Sequence, residues 1–243
     1  MLNKNKPDYI SLCLVDADIL AYRAAFATNS PEKTGQDCEE VLEKLIAYIL
    51  DQTVVFPVPD RFKLFLTGKG NFRHGIMPLY KHQRKETEKP KFIDHAREYL
   101  VDKWDAVVVD GIEADDAIAT EVAFHGVPEA TVIVSTDKDY NTINCWKYSF
   151  VKDAWRWDTE EEALRFFYKQ VLTGDRTDSY YGIDGVGPVK ADKILKDCHT
   201  EKEMFKAVLD TYEAHSLTLD DMLVQARMAH LQRYSGEIWQ CPK

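Results

Sequence analysis

The chain has no long apolar run. Nothing in it approaches the roughly 18 consecutive apolar residues of a membrane span, and the run from Ile10 to Val15 stops at Asp16. Lys4 and Lys6 precede that run, but it is too short for the h-region of a secretory signal. No membrane association is expected, and a cytoplasmic setting is (the host cytoplasm if a phage encodes the protein). Cysteine is sparse. Cys13, Cys38, Cys145, Cys198 and Cys241 are odd in number and form no CxxC pair. Free thiols in a reducing compartment follow, rather than disulfides or a zinc clip. Repeats, low-complexity tracts and long linkers are also missing. Positive charge is in deficit, with 31 Lys and Arg against 41 Asp and Glu, a net charge of −10. Taken alone, that argues against a nucleic-acid partner. It does not say where the charges sit. What is present is core material: 45% hydrophobic and 30% charged residues over 243 positions. That suits one moderate domain, or a core with a subdomain, and excludes disorder by composition.

Short β-rich runs alternate with helical patterns in the first part. Ile10–Val15, Phe62–Leu66, Ala106–Val109 and Ala130–Val134 read as strands, with Tyr148–Val151 as a fifth. Ala21–Ala27, Glu39–Leu50 and Ala114–Phe124 read as helices. The strands are nearly continuous apolar runs, as buried parallel strands are. The fold class is therefore α/β, a central mostly parallel sheet flanked by helices. After about residue 158 only helical patterns remain: Thr159–Leu172, Val189–Leu195, Glu201–Tyr212 and Leu219–Gln232. The expected division is 1–158 for the core and 159–243 for a helical subdomain.

Acids fall at the strand ends. Asp16 follows the first strand, Glu113, Asp115 and Asp116 the third, and Asp137 and Asp139 the fourth. In an open parallel sheet that edge is the ligand-binding crevice. Carboxylates packed together resist joint ionisation, and a hard divalent cation, Mg²⁺ or Mn²⁺, removes the conflict. Singly, each acid has a plainer reading: Asp115 and Asp116 as helix-start acids, Asp16 and Asp137 as turn residues. Further on, Asp175 and Asp178 are three apart and share a face of a helical turn. Gly185 and Gly187 follow, ahead of a helix carrying Lys190 and Lys193. A glycine-lined turn before a helix offers free N–H groups to a phosphate. The basic residues gather in the segment 69–92: Arg73, Lys81, His82, Arg84, Lys85, Lys89 and Lys91, interleaved with Phe72, Tyr80 and Phe92. Such interleaving suits a nucleic-acid strand, though a solvated loop would show it too.

Five segments carry a resemblance. They are LVDADILAYRAAFA (Leu14–Ala27), PLYKHQRK (Pro78–Lys85), GIEADDAIA (Gly111–Ala119), STDKDY (Ser135–Tyr140) and GDRTDSYYGIDGVGPVKADKIL (Gly174–Leu195). In order and spacing they resemble the flap-endonuclease family of 5′ nucleases. The ending QARMAHLQRYSGEIWQCP is similar to that of the short phage 5′→3′ exonucleases. The resemblance implies a PIN-like nuclease core and a helix–hairpin–helix type of DNA-binding motif in the helical part. It implies two divalent cations, Mg²⁺ or Mn²⁺, near Asp16, Glu113, Asp115, Asp137 and Asp139, with Asp116 as an outer ligand or a helix-start acid. Asp175 and Asp178 complete the second site. Lys81 matches the family's catalytic lysine, Arg84 its basic neighbour, and Tyr80 the aromatic that stacks near the scissile nucleotide. Arg23 matches a phosphate-contacting arginine. Gly185 and Gly187 match the duplex-gripping hairpin, with a monovalent cation, K⁺, beside it.

There are two departures. Gly68 stands where the family commonly has an Asp after the second strand, and the segment between Arg84 and Phe92 is too short for a long arch. The implied activity is 5′→3′ exonuclease or flap cleavage of duplex or 5′-flap DNA by a monomer, with RNA–DNA hybrids as a further implied substrate. The implied role is primer removal, genome degradation or phage replication. Three rivals remain: a single-strand ribonuclease of the same sheet type, a phosphatase built on Asp16-Ala17-Asp18, and an inactive structure-specific DNA-binding protein, favoured by Gly68.

Overall fold

The computed structural model describes residues 6–53, 61–83 and 88–242. Its described residues form two compact units. The first comprises residues 6–53, 61–70, 88–140 and 145–157, and the second residues 71–83, 141–144 and 158–242. No helix among the described residues is long and apolar enough to cross a membrane.

The first unit is built on one sheet. Its strands are β1 (Leu12–Asp16), β2 (Phe62–Thr67), β3 (Val107–Val109), β4 (Thr131–Val134), β5 (Trp146–Ser149) and β6 (Ala154–Trp157), in the order β3-β2-β1-β4-β5-β6. Every pairing is parallel except β5 with β6. β1 and β4 are buried at every position, as strands covered on both faces must be. Cys13, Val15, Leu64, Leu66, Val132 and Val134 share one core with α1 (Ala17–Ala27), α2 (Gly35–Thr53) and α4 (Ile93–Trp104). Side chains alternate along a strand, so Leu12, Leu14 and Ile133 point the other way. α5 (Ala114–His125) lies against β1, β2 and β3.

The expected α/β class, with its mostly parallel sheet, holds. Three details differ from the sequence reading. The fifth strand begins at Trp146, not Tyr148. It pairs with β6, which the sequence pattern did not reveal. Aromatic pairs across the two strands join them, Trp146 with Trp157 at 5.4 Å and Tyr148 with Trp155 at 4.7 Å between ring centroids. The third difference is α4. It buries only Ile93, Ala96 and Leu100, a stripe too thin among charges to stand out as a period.

The second unit is helical. It holds α3 (Arg73–Ile76), α6 (Glu160–Thr173), α7 (Pro188–Leu195), α8 (Glu201–Ala214) and α9 (Leu219–Ala229). α6, α8 and α9 each start with a threonine whose hydroxyl accepts the N–H three residues on: Thr159 from Glu162, Thr200 from Glu203, Thr218 from Asp221. These capping boxes fix the helix starts. Phe167, Tyr168, Val171 and Leu172 pack with Met204, Val208, Tyr212 and Trp239 in its core. Residues 71–83 group with these helices. The chain thus passes between the units more than once, where the sequence predicts a single boundary at 158.

Candidate active site

The strand order reverses at β1, with β2 on one side and β4 on the other. The crevice beyond the ends of β1 and β4 is therefore the expected ligand site. Asp16 ends β1 there and is 8% exposed. Its Oδ2 accepts from Ser135 Oγ at 3.2 Å and Tyr140 OH at 3.4 Å. Burial, and then Asp18 and Asp137 beside it, push the Asp16 carboxyl up to about 7. The buried Tyr140 hydroxyl is held well above the usual phenol range, first by burial and then by Asp16, Asp115 and Asp137. Acids from three strand ends thus share one electrostatic neighbourhood.

Each acid has a local reason for its place. Asp137 N donates to Ser135 Oγ, and Asp139 N to Asp137 Oδ1, both at 3.0 Å. These bonds fold the turn after β4. Glu113 caps α5 at its first turn. Ala114 N donates to Thr67 Oγ1 at 3.0 Å, fastening that turn to the end of β2. Asp115 Oδ1 accepts Asp116 N at 2.8 Å. Asp116 is fully buried and accepts Glu113 N at 3.2 Å; of its two expected roles, this placement is that of the helix-start acid. Among the described residues, no three His, Cys, Asp or Glu side chains stand close enough to hold one ion by themselves. Mg²⁺ does not need them to, since it keeps several waters and takes one or two carboxylates. An all-oxygen donor set around a reluctantly ionised carboxylate fits such an ion.

Gly68 is not an empty slot. A Cβ there would lie 2.1 Å from Asp110 Oδ1 and 2.7 Å from Val109 O. Gly68 N donates to Val109 O, and Lys69 N to Asp110 Oδ1 at 2.6 Å. Beside the paired ends of β2 and β3, a side chain at 68 would force the Asp110 carboxylate and the Val109 carbonyl to move.

In the helical unit, Asp175 and Asp178 are each 5% exposed. Asp175 and Tyr180 exchange backbone hydrogen bonds across a tight turn. Asp178 Oδ2 accepts from Tyr80 OH at 3.2 Å and faces Lys81 Nζ at 3.6 Å. Lys81 sits at φ +52, a left-handed backbone rare for a residue with a side chain, and donates its N–H to Asp178 O. Gly182, at φ +59, is the glycine that the turn requires: a Cβ there would lie 2.4 Å from Leu172 O. Gly185 and Gly187 have nothing within 4 Å of where a Cβ would be. Their backbone stands open, ahead of the α7 start at Pro188. Lys190 and Lys193 are exposed beside it.

Two expected roles do not survive the geometry. Arg73 is 1% exposed; its guanidinium donates to Met228 O at 3.2 Å and His230 O at 2.8 Å, closing the end of α9. It is a structural clamp rather than a substrate-binding group. Tyr80 is 3% exposed within the helical core. Its ring cannot stack on a nucleotide, and its hydroxyl orients Asp178 instead. Arg84 and Lys85 lie outside the described residues. Arg23 is exposed on α1, 5.7 Å from the Phe150 ring. Sequence reasoning missed its neighbours, Tyr22 and Phe26, which are stacked at 6.2 Å and are 40% and 55% exposed. The signal was there: two aromatics four apart, on the helix face opposite Ala21, Ala24 and Ala25.

A family model described as 5'-3' exonuclease, N-terminal resolvase-like domain, matches residues 11–171. The chain is 31% identical over 157 residues to Flap endonuclease Xni of Colwellia psychrerythraea, covering 56% of this chain and 51% of the relative. It thus spans about half that relative's length. It is 28% identical over 208 residues to the exonuclease of Escherichia phage T7, covering 71% of this chain and 68% of that one. The phage T5 flap endonuclease, solved with DNA and metal ions, matches with a TM-score of 0.61 at 20% identity, over 90% of this chain and 92% of the other. The catalytic core of Rad2, solved with a DNA substrate, matches at 0.56 and 16% identity, over 96% and 84%. These two likenesses show the fold. Because the family match runs from β1 into α6, through every strand end that carries an acid, the chain belongs to the 5′-3′ exonuclease and flap endonuclease family.

Proposed function

We propose that the protein is a divalent-metal-dependent 5′→3′ exonuclease hydrolysing phosphodiesters of duplex or 5′-flap DNA. The observation that carries this reading is Asp16, a buried carboxyl held up to about 7 at the sheet's switch point, beside Asp18 and Asp137. Glu113, Asp115, Asp137 and Asp139 would join Asp16 in holding the ions, and Asp175 and Asp178 are a further acidic pair within the helical unit, open to the same chemistry. Bound there, divalent ions would stabilise phosphate charge and supply a water of lowered pKa.

The chain's own groups do the rest. Lys81, kept close by Asp178, offsets phosphate charge as it develops. The open backbone at Gly185 and Gly187, with Lys190 and Lys193, grips the duplex without reading sequence; a K⁺ could share that turn. Arg23 takes a phosphate while Tyr22 and Phe26 offer ring faces to bases. Removal of RNA from RNA–DNA hybrids and a part in phage replication or primer removal extend the same reading.

The test is a duplex labelled at one end, with and without Mg²⁺. Release of 5′ mono- or dinucleotides that needs the metal, with progressive shortening toward a retained 3′ label, is expected. Intact DNA in both Mg²⁺ and Mn²⁺, with binding retained, would move the protein to the DNA-binding reading.

A further inference from the structure

Asp18 lies two residues beyond Asp16, at the start of α1, and its charge reaches Asp16. It is not a free carboxylate. Its Oδ1 pairs with Arg97 Nη1, and its Oδ2 accepts Thr67 N at 2.8 Å. Arg97 Nη2 donates to Thr67 O. One guanidinium from α4 thus ties the start of α1 to the last residue of β2. Thr67 in turn holds the first N–H of α5, next to Glu113. Both partners are partly buried, with side-chain exposures of 24% and 22%, so solvent screens the pair less than it would on an open surface. Each Asp18 oxygen already has a donor. Asp18 thus stands at the acidic edge as a charge held in place by its donors, and Arg97 offsets that charge.

We propose that the Asp18–Arg97 pair is a positioning and charge-setting device that fixes how tightly the carboxylate edge holds a divalent cation. This rests on the metal reading above. The geometry alone would make the pair a clamp; its placement beside Asp16 makes it a control on cation affinity as well. The two roles separate because they predict different signs. A clamp loses from removal of either partner. A charge control responds in opposite directions, because one single substitution leaves a bare anion and the other a bare cation.

The test is Mn²⁺ binding to the full chain by titration calorimetry, without DNA. In water-like surroundings, a unit charge gained or lost beside a cation site is worth on the order of 1 kcal/mol, or about fivefold in binding. Arg97→Gln should tighten Mn²⁺ by about that factor, and Asp18→Asn should weaken it by about the same factor. The double variant should return to within about twofold of wild type, because neither charge remains. Arg97→Lys, which keeps the charge and loses the fork, should also stay within about twofold. Thermal melts in chelator confirm that each variant folds. Should Arg97→Gln fail to fold, Asp18→Asn and Arg97→Lys still give the charge contrast. Single variants that shift Mn²⁺ in the same direction, or not at all, overturn the proposal. Absence of Mn²⁺ binding by the wild type would instead sink the metal reading on which it stands.

Discussion

Replacing Arg73 with alanine separates a DNA contact from a structural clamp. Arg73 is 1% exposed, stands 4.7 Å over the Phe72 ring, and donates to two carbonyls at the end of α9. A hydrogen bond from a charged donor is worth about 1.5–3 kcal/mol. Two such bonds and the packing of the side-chain stem are lost, although water recovers part at the new cavity. A loss of about 3 kcal/mol is expected, against a total of roughly 5–15 for a domain. With a urea slope of about 2–3 kcal/mol/M, the midpoint falls by about 1 M. Arg73→Lys keeps the charge but not the planar fork, so it should recover less than half of the loss. The assay pairs urea denaturation, followed by circular dichroism, with DNA affinity measured well below the transition. The expected result is a lower midpoint with unchanged affinity and unchanged salt dependence. An unchanged midpoint, weaker DNA binding and a log–log salt slope shallower by about 0.9 would refute the reasoning and return Arg73 to the phosphate contacts.

Other outcomes follow from the same geometry. Gly182→Ala, at φ +59 with Leu172 O in the way, should destabilise by more than about 2 kcal/mol, whereas Gly185→Ala, also at positive φ but in open space, should cost about 1. Thermal melts check the order, and a larger loss at 185 would overturn it. Of the five thiols only Cys241 is exposed, and burial pushes Cys13 up to about 12. A thiol-exchange reagent at pH 8 should label one cysteine quickly and the rest only in denaturant; several fast thiols would contradict the burial. Gly68→Asp should lower the melting temperature by several degrees and leave Mn²⁺ affinity no tighter, because its Cβ meets Asp110 Oδ1 and Val109 O. A stable variant with tighter Mn²⁺ binding would show that the slot has room.

The strands were legible because each is an apolar run between polar breaks, and the acids because they follow those runs directly. β6 was not, since Ala154–Trp157 acquires its meaning only from the tryptophan and tyrosine rings of β5. α4 was missed for a related reason: three buried residues among charges give no strong period until α1 and α2 are there to cover them. The roles of Arg73 and Tyr80 were misjudged because residue type does not report burial. A basic or aromatic residue in a charged segment looks the same whether it meets DNA or the end of α9.

The sequence by itself determined the parallel sheet, the helical second half, the acids that follow the strands and the glycine turn before a lysine-bearing helix. These are local patterns of period, composition and adjacency, and local chemistry is enough to set them. Only the tertiary structure decided which acids crowd Asp16, that Asp110 and Val109 close the space at Gly68, that Arg97 from an unforeseen helix neutralises Asp18, and that Arg73 and Tyr80 are withdrawn from solvent. Apart from Asp18, which adjoins Asp16 in the chain, each of those depends on chain segments distant in sequence meeting, so burial and the charge next door are settled by packing.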